Sequence, residues 1–190
     1  MSTLATTLHE YRSQVHNNRL GLWLFFLSDA FLFGELMTSR IYLWGAFRPN
    51  LSQTLGLTIT SVLLLSSFFM NRADMAVKHG DRKSFLENLL VTAGLGMVFL
   101  IGVVPFEWQG EVRPWDGAFG AVLFGMTGTH AMHVVSGIVL ILFVWNKGRK
   151  GGYTVEQHWG AEACAIYWHF VDLVWVFYYP ALYLIGMPPH

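Results

Sequence analysis

Five apolar runs, at residues 20–43, 51–72, 86–107, 117–145 and 159–186, take up most of this chain, and each is long enough to cross a hydrocarbon layer. About 20 helical residues span the roughly 30 Å core of a bilayer. An open sheet in lipid would leave its edge amides and carbonyls unsatisfied, so the runs predict helices. Composition supports the same reading: 54% of the residues are hydrophobic and 13% are charged, the charges lying mostly between the runs. The expected fold is an all-α integral membrane protein, a single domain over residues 1–190 built as a five-transmembrane-helix bundle. A formal net charge of zero gives no electrostatic footprint for nucleic acid.

Lys and Arg are retained on the cytoplasmic side of short loops, which tests the count of five. Arg12, Arg19, Arg72, Lys78, Arg82, Lys83, Lys147, Arg149 and Lys150 fall on one side, nine in all, against Arg40, Arg48 and Arg113 on the other. Nine against three predicts a cytoplasmic N-terminus and an outside C-terminus. The polar first nineteen residues lack the apolar core and small-residue cleavage site of a signal peptide. Cys164, the one cysteine, excludes an internal disulfide and a cysteine-only metal site. Ser84 and Glu87 have the spacing of a capping box at the start of the third run. Gly148, Gly151 and Gly152 punctuate the loop before the fifth. Residues 102–105 are expected to kink the end of the third. Small residues (Gly117, Gly120, Gly125 and Gly128 in the fourth run; Gly160, Ala161 and Ala165 in the fifth) predict close packing of the last two helices.

Asp29, Glu35, His130, His133, Glu162, His169 and Asp172 lie within the runs, and Glu107 closes the third. Each ionisable group at mid-membrane costs about 2.5 to 3.5 kcal/mol on insertion scales, so each must face the bundle interior, water or a partner. With about 100° per helical residue, His158, Glu162, His169 and Asp172 share an arc of about 80°, which predicts a buried polar stripe. His130 and His133 can face it from the fourth helix. Asp29 and Glu35 lie about 120° apart and cannot serve one site. Three readings stay open. The pairs His130/His133 and His169/Asp172 have the i, i+3 spacing of metal-ligating bundles, although no Glu-x-x-His unit is present in a run. The polar groups can instead pair with one another, locking the fourth and fifth helices together. Or Asp29 or Glu162 can relay protons from a wet crevice. The aromatics, Trp168 and Trp175 among them, read as lipid contacts and interface anchors.

Several segments together resemble subunit III of the haem-copper terminal oxidases, the cytochrome c oxidase and quinol oxidase family. LGLWLFFLSDAFLFGEL is similar to the family's first shared helix, and GDRKSFLENLLVTAGLGMVFLI to its next loop and helix. GMTGTHAMHVVSGIVLI is similar to its paired-histidine helix, and HWGAEACAIYWHFVDLVWVFYYPALYLIG to its most characteristic segment. The resemblance runs from about residue 19 to residue 186 and corresponds to the short, five-helix bacterial form. It implies a multi-pass subunit of the bacterial inner membrane with no catalytic residue, metal or redox centre of its own. The implied partners are the catalytic subunit I, subunit II, small subunits and membrane lipid, with bound phospholipid here and haem and copper in the partner subunits. The implied role is support of proton and oxygen delivery, in an enzyme that reduces oxygen to water and translocates protons, with cytochrome c or quinol as donor. By motif, His130 and His133 match the family's paired histidines, and Glu162, His169 and Asp172 its last-helix polar residues. Asp29 stands where the family has a buried glutamate, Val104 where a glutamine often precedes the acid matched by Glu107, and Glu35 is an extra acid. With Asp29 in place of the glutamate, the chain also resembles the related subunit-III-like protein associated with nitric oxide reductases; other readings, from the residues, are a free-standing metal-dependent membrane enzyme and a proton or ion channel.

Overall fold

The computed structural model describes residues 2–46, 48, 50–108 and 112–187; for residues 2–10, 12, 106, 107 and 119 it describes the backbone alone. It contains five α-helices: α1 (Ser2–Trp44), α2 (Gln53–Lys78), α3 (Arg82–Ile101), α4 (Gly117–Arg149) and α5 (Trp159–Tyr179). The chain forms two compact units, residues 1–34 and 35–190. The first is the greater part of α1. Its polar N-terminal residues, expected as a non-spanning tail, are helical from Ser2. They contain no Gly or Pro before Gly21, and Leu, Ala, Glu, Arg and Gln among them favour the helix.

In the second unit α2 packs against α3 and α5, and α4 packs against the same two, so α2 to α5 close into a four-helix ring. Leu63, Met70, Leu89, Phe99, Leu123, Met126 and Ile141 fill its interior. Among the described residues four segments are long and apolar enough to cross a membrane: Ser13–Trp44, Gln53–Lys78, Arg82–Pro105 and Gly120–Arg149. They carry four of the five expected spans. The run expected as the fifth span forms the helix α5, which is not among them; its Glu, His, Asp, Tyr and Trp residues lower its hydropathy.

The helix ends follow from local chemistry. At the end of α2 the Asp81 amide donates to Ala76 O and the Gly80 amide to Val77 O, and Gly80 takes the positive φ of 76° that this double return requires. α4 ends the same way, with Gly152 to Lys147 O, Gly151 to Gly148 O, and φ 77° at Gly151. The cap of α3 is Asp81 rather than the expected Ser84/Glu87 box: Asp81 accepts from the Ser84 amide at 3.1 Å and from its hydroxyl at 2.6 Å. A carboxylate three residues ahead meets the free amide more directly than Ser84 can reach back. These bonds to Ser84 hold the Asp81 carboxyl below its usual 3.8.

Each proline-containing helix end widens into a π turn. After α3, Gly102–Glu107 includes Pro105, and Trp108 N donates to Val103 O at 3.2 Å. After α5, Pro180–Leu184 closes with Ile185 N donating to Pro180 O at 2.9 Å. A proline has no amide to give and its ring crowds the preceding turn, so the ladder slips by one residue.

Candidate functional site

The centre of the ring is built around Trp168 on α5. Its indole N–H donates to Ser66 Oγ on α2 at 3.0 Å. A Cβ at Gly96 on α3 would lie 2.6 Å from the ring, and one at Gly137 on α4 would lie 2.9 Å from it. Glycine is required at both positions, and one side chain from α5 thereby touches the other three helices. Trp175, two helical turns on, repeats the device by donating to Thr60 Oγ1 on α2 at 3.0 Å. Both tryptophans are 1% exposed. This corrects the expectation that they contact lipid: an indole needs one polar partner when enclosed, and α2 supplies a hydroxyl for each. Among the small residues expected to bring α4 and α5 together, Gly128 faces Trp108 and Gly120 faces the backbone at Arg113 and Pro114. Gly137 makes the close approach instead.

The polar stripe of α5 is directed toward α2. His169 Nδ1 and Ser67 Oγ share a hydrogen bond at 2.7 Å. Neither Asp172 oxygen has a hydrogen-bond partner among the described residues. Asp172 is 4% exposed. Asp74, one helical stripe along α2, pairs with Lys78 Nζ at 2.5 Å. The stripe, expected to face α4, is thus tied to α2 through His169 and Ser67. With Trp168 and Trp175 occupying the ring centre, the neighbouring His169 and Asp172 are carried to the α2 side. α4 and α5 are joined through the Tyr167 hydroxyl, which shares a hydrogen bond with Ser136 Oγ at 2.6 Å and donates to His133 O at 3.4 Å.

The paired histidines of α4 separate. His130 is fully buried, with its ring 4.9 Å from Trp175 and 5.5 Å, edge on, from Phe99. Neither of its nitrogens has a hydrogen-bond partner among the described residues. His133 is half-buried, and its Nδ1–H donates to Thr129 O at 2.9 Å on its own helix. His158 caps α5 through its carbonyl, which accepts from Ala161 at 2.9 Å and Glu162 at 3.1 Å. Glu162 is half-buried in the first turn of α5. Asp29, in the first unit, is half-buried, and Glu35 is exposed. The side chain of Glu107 lies outside the described residues. Among the described residues no three of His, Cys, Asp and Glu lie close enough to share a metal ion.

Sequence reasoning passed over Arg40, Ser66, Ser67, Thr60 and Asp74. Arg40 is 1% exposed: Nε donates to Ala181 O at 2.6 Å, Nη1 to Gly45 O at 3.2 Å, and Nη2 to Ile185 O, with the guanidinium over the Trp44 ring. Arg48 Nε donates to Gly186 O at 3.1 Å. Two arginines thus take up carbonyls freed where the last π turn unwinds. The one signal for Arg40 was a cation one helical turn before an aromatic at the end of a span.

The whole chain also has relatives. Residues 2–187 match the family described as Cytochrome c oxidase subunit III. The chain is 33% identical over 173 residues to cytochrome c oxidase subunit 3 of Thermostichus vulcanus, covering 87% of this chain and 86% of that one. Against the Synechocystis protein of the same name it is 29% identical, covering 93% and 79%. Against that of Equus caballus it is 31% identical, covering 88% and 69%. The match begins and ends with the helical chain and includes every segment that forms the ring, so the chain belongs to the cytochrome c oxidase subunit III family.

Proposed function

We propose a supporting rather than a redox role for this chain, which by its family is subunit III of a haem-copper oxidase. The observation that carries the reading is the family match over residues 2–187, joined to membrane-crossing helices. The whole chain works as one membrane domain beside the catalytic subunit I, with subunit II and small subunits in the same complex, in a bacterial plasma membrane. Haem and copper reside in those partners. This chain stabilises the catalytic subunit, holds phospholipid and assists proton and oxygen delivery. The packing of α5 supports a scaffold role, because its largest side chains are spent on holding the ring together.

We place the N-terminus in the cytoplasm and let α5 complete a fifth crossing. The nine-to-three distribution of basic residues supports this topology. Two of the three minority residues, Arg40 and Arg48, are engaged as carbonyl caps. Asp29 and Glu162 remain the acids proposed for proton handling within the subunit.

Gentle purification through a tag on this chain, followed by a reduced-minus-oxidised optical spectrum and identification of co-purifying chains, tests the proposal. Stoichiometric haem with a large multi-pass partner is expected. A homogeneous chain without haem or partner overturns it.

A further inference from the structure

Helix α1 has 43 residues, about 65 Å of helix against roughly 30 Å of hydrocarbon. Its apolar run begins at Leu20, so the helical stretch Ser2–Arg19, about 27 Å, stands outside the bilayer. The stretch is amphipathic. Leu4, Leu8, Tyr11 and Val15 recur at spacings of four, three and four, and by helix register they share an arc of about 60°. That is the seam of a coiled coil. Every other position from Thr6 to Arg19 is polar, and Ser13 falls on the face opposite the seam. Arg12 and Arg19, seven residues apart, occupy one edge of the seam, while Thr7 and Gln14 on the other edge carry no charge. A helix this short and this rich in Thr, His and Asn gains little from propensity; such helices are held mainly by covering their apolar face.

Direction and charge narrow what covers the seam. α1 is continuous from Ser2 to Trp44, so the stretch leads away from the bilayer rather than along its surface. A second copy would offer Arg12 and Arg19 the uncharged Thr7 and Gln14 in a parallel pair, or the same arginines in an antiparallel one, and no acid in either. The loops of this chain on the same side of the proposed topology are rich in like charge: Lys78, Arg82, Lys83, Lys147, Arg149 and Lys150. We propose that Ser2–Arg19 docks a cytoplasmic helix of a partner chain in the same complex. The partner helix lays its own apolar stripe on Leu4, Leu8, Tyr11 and Val15, and acids spaced seven residues apart on its flank meet Arg12 and Arg19. This rests on the topology and the oxidase assembly proposed above.

Photo-cross-linking in the tag-purified complex tests the docking. A benzophenone is attached at Val15→Cys on the seam or at Ser13→Cys opposite it; Cys164, buried in α5, stays out of the labelling. The seam label should couple to a helix of a co-purifying chain that carries acids seven residues apart, and the Ser13 label should give no such product. R12E/R19E should cut the seam yield by about fivefold, the size expected for two surface ion pairs, and added salt should lower the yield of the parent chain. Coupling to this chain, to lipid, to a segment without acids or to nothing overturns the proposal, as does equal coupling from both faces or a yield indifferent to charge reversal. Haem is read in the same samples. Haem without the expected coupling overturns this inference alone, whereas the coupling in a complex without haem keeps it and overturns the oxidase reading.

Discussion

Single residues in this bundle differ sharply in what they hold together. Trp168→Ala removes a side chain in contact with three helices, and the general cost of emptying such a site is about 3–5 kcal/mol; a large fall in the thermal midpoint of the purified complex should report it. Gly137→Ala forces a methyl against the same ring and should cost about 1–3 kcal/mol by the same measurement. Asp81 gives a pH-dependent case. Its carboxyl is held below 3.8 by Ser84, so its contribution is present above the unfolded value of 3.8 and is lost as pH falls through the lower folded value. In D81N the acid limb of the stability profile should be flatter. Tyr153 acts at the other extreme: burial, with the Cys164 thiol as the lesser cause, pushes it from 10.0 up to about 12. The unfolded chain then loses that proton first, so stability should decline between pH 10 and 12, and less so in Y153F. At this scale the sequence displayed the ionisable residues and their arc on α5. It could not show which neighbour the arc faced, because Ser66, Ser67 and Thr60 look like ordinary small residues in an apolar run.

The elements were legible from hydropathy, and their ends less so. A proline is visible in any sequence, but whether it kinks a helix or slips the ladder into a π turn depends on what receives the displaced carbonyls. At the end of α5 the receivers are Arg40 and Arg48, contributed from far away in the chain. Arg40→Met should therefore cost more than a surface change, since each charge-assisted hydrogen bond is worth about 1.5–3 kcal/mol. Limited proteolysis is the measurement: cleavage after residue 180 should become rapid in R40M while the α2–α3 turn stays protected. Equal protection in variant and wild type would show that the π turn holds itself.

For the whole molecule, the segment motifs were enough to indicate the family, because they lie in order on α1, α3, α4 and α5. Reporter fusions check the proposed topology: a periplasm-active enzyme fused after residue 187 should be active, and one fused in the loop near Lys150 should not. The ring also bears on biogenesis. The first four spans can leave a translocon for lipid on their own apolarity, whereas α5 carries Glu, two ionisable partners and hydrogen-bonding indoles. The hydroxyls of Ser66 and Thr60, and the bare backbone at Gly96 and Gly137, form a berth waiting for it. On the proposed five-span topology, entry of α5 into the membrane would be templated by helices already inserted. A nascent chain stalled before residue 159 would display an unfilled berth, which distinguishes it from a finished subunit before any partner has docked.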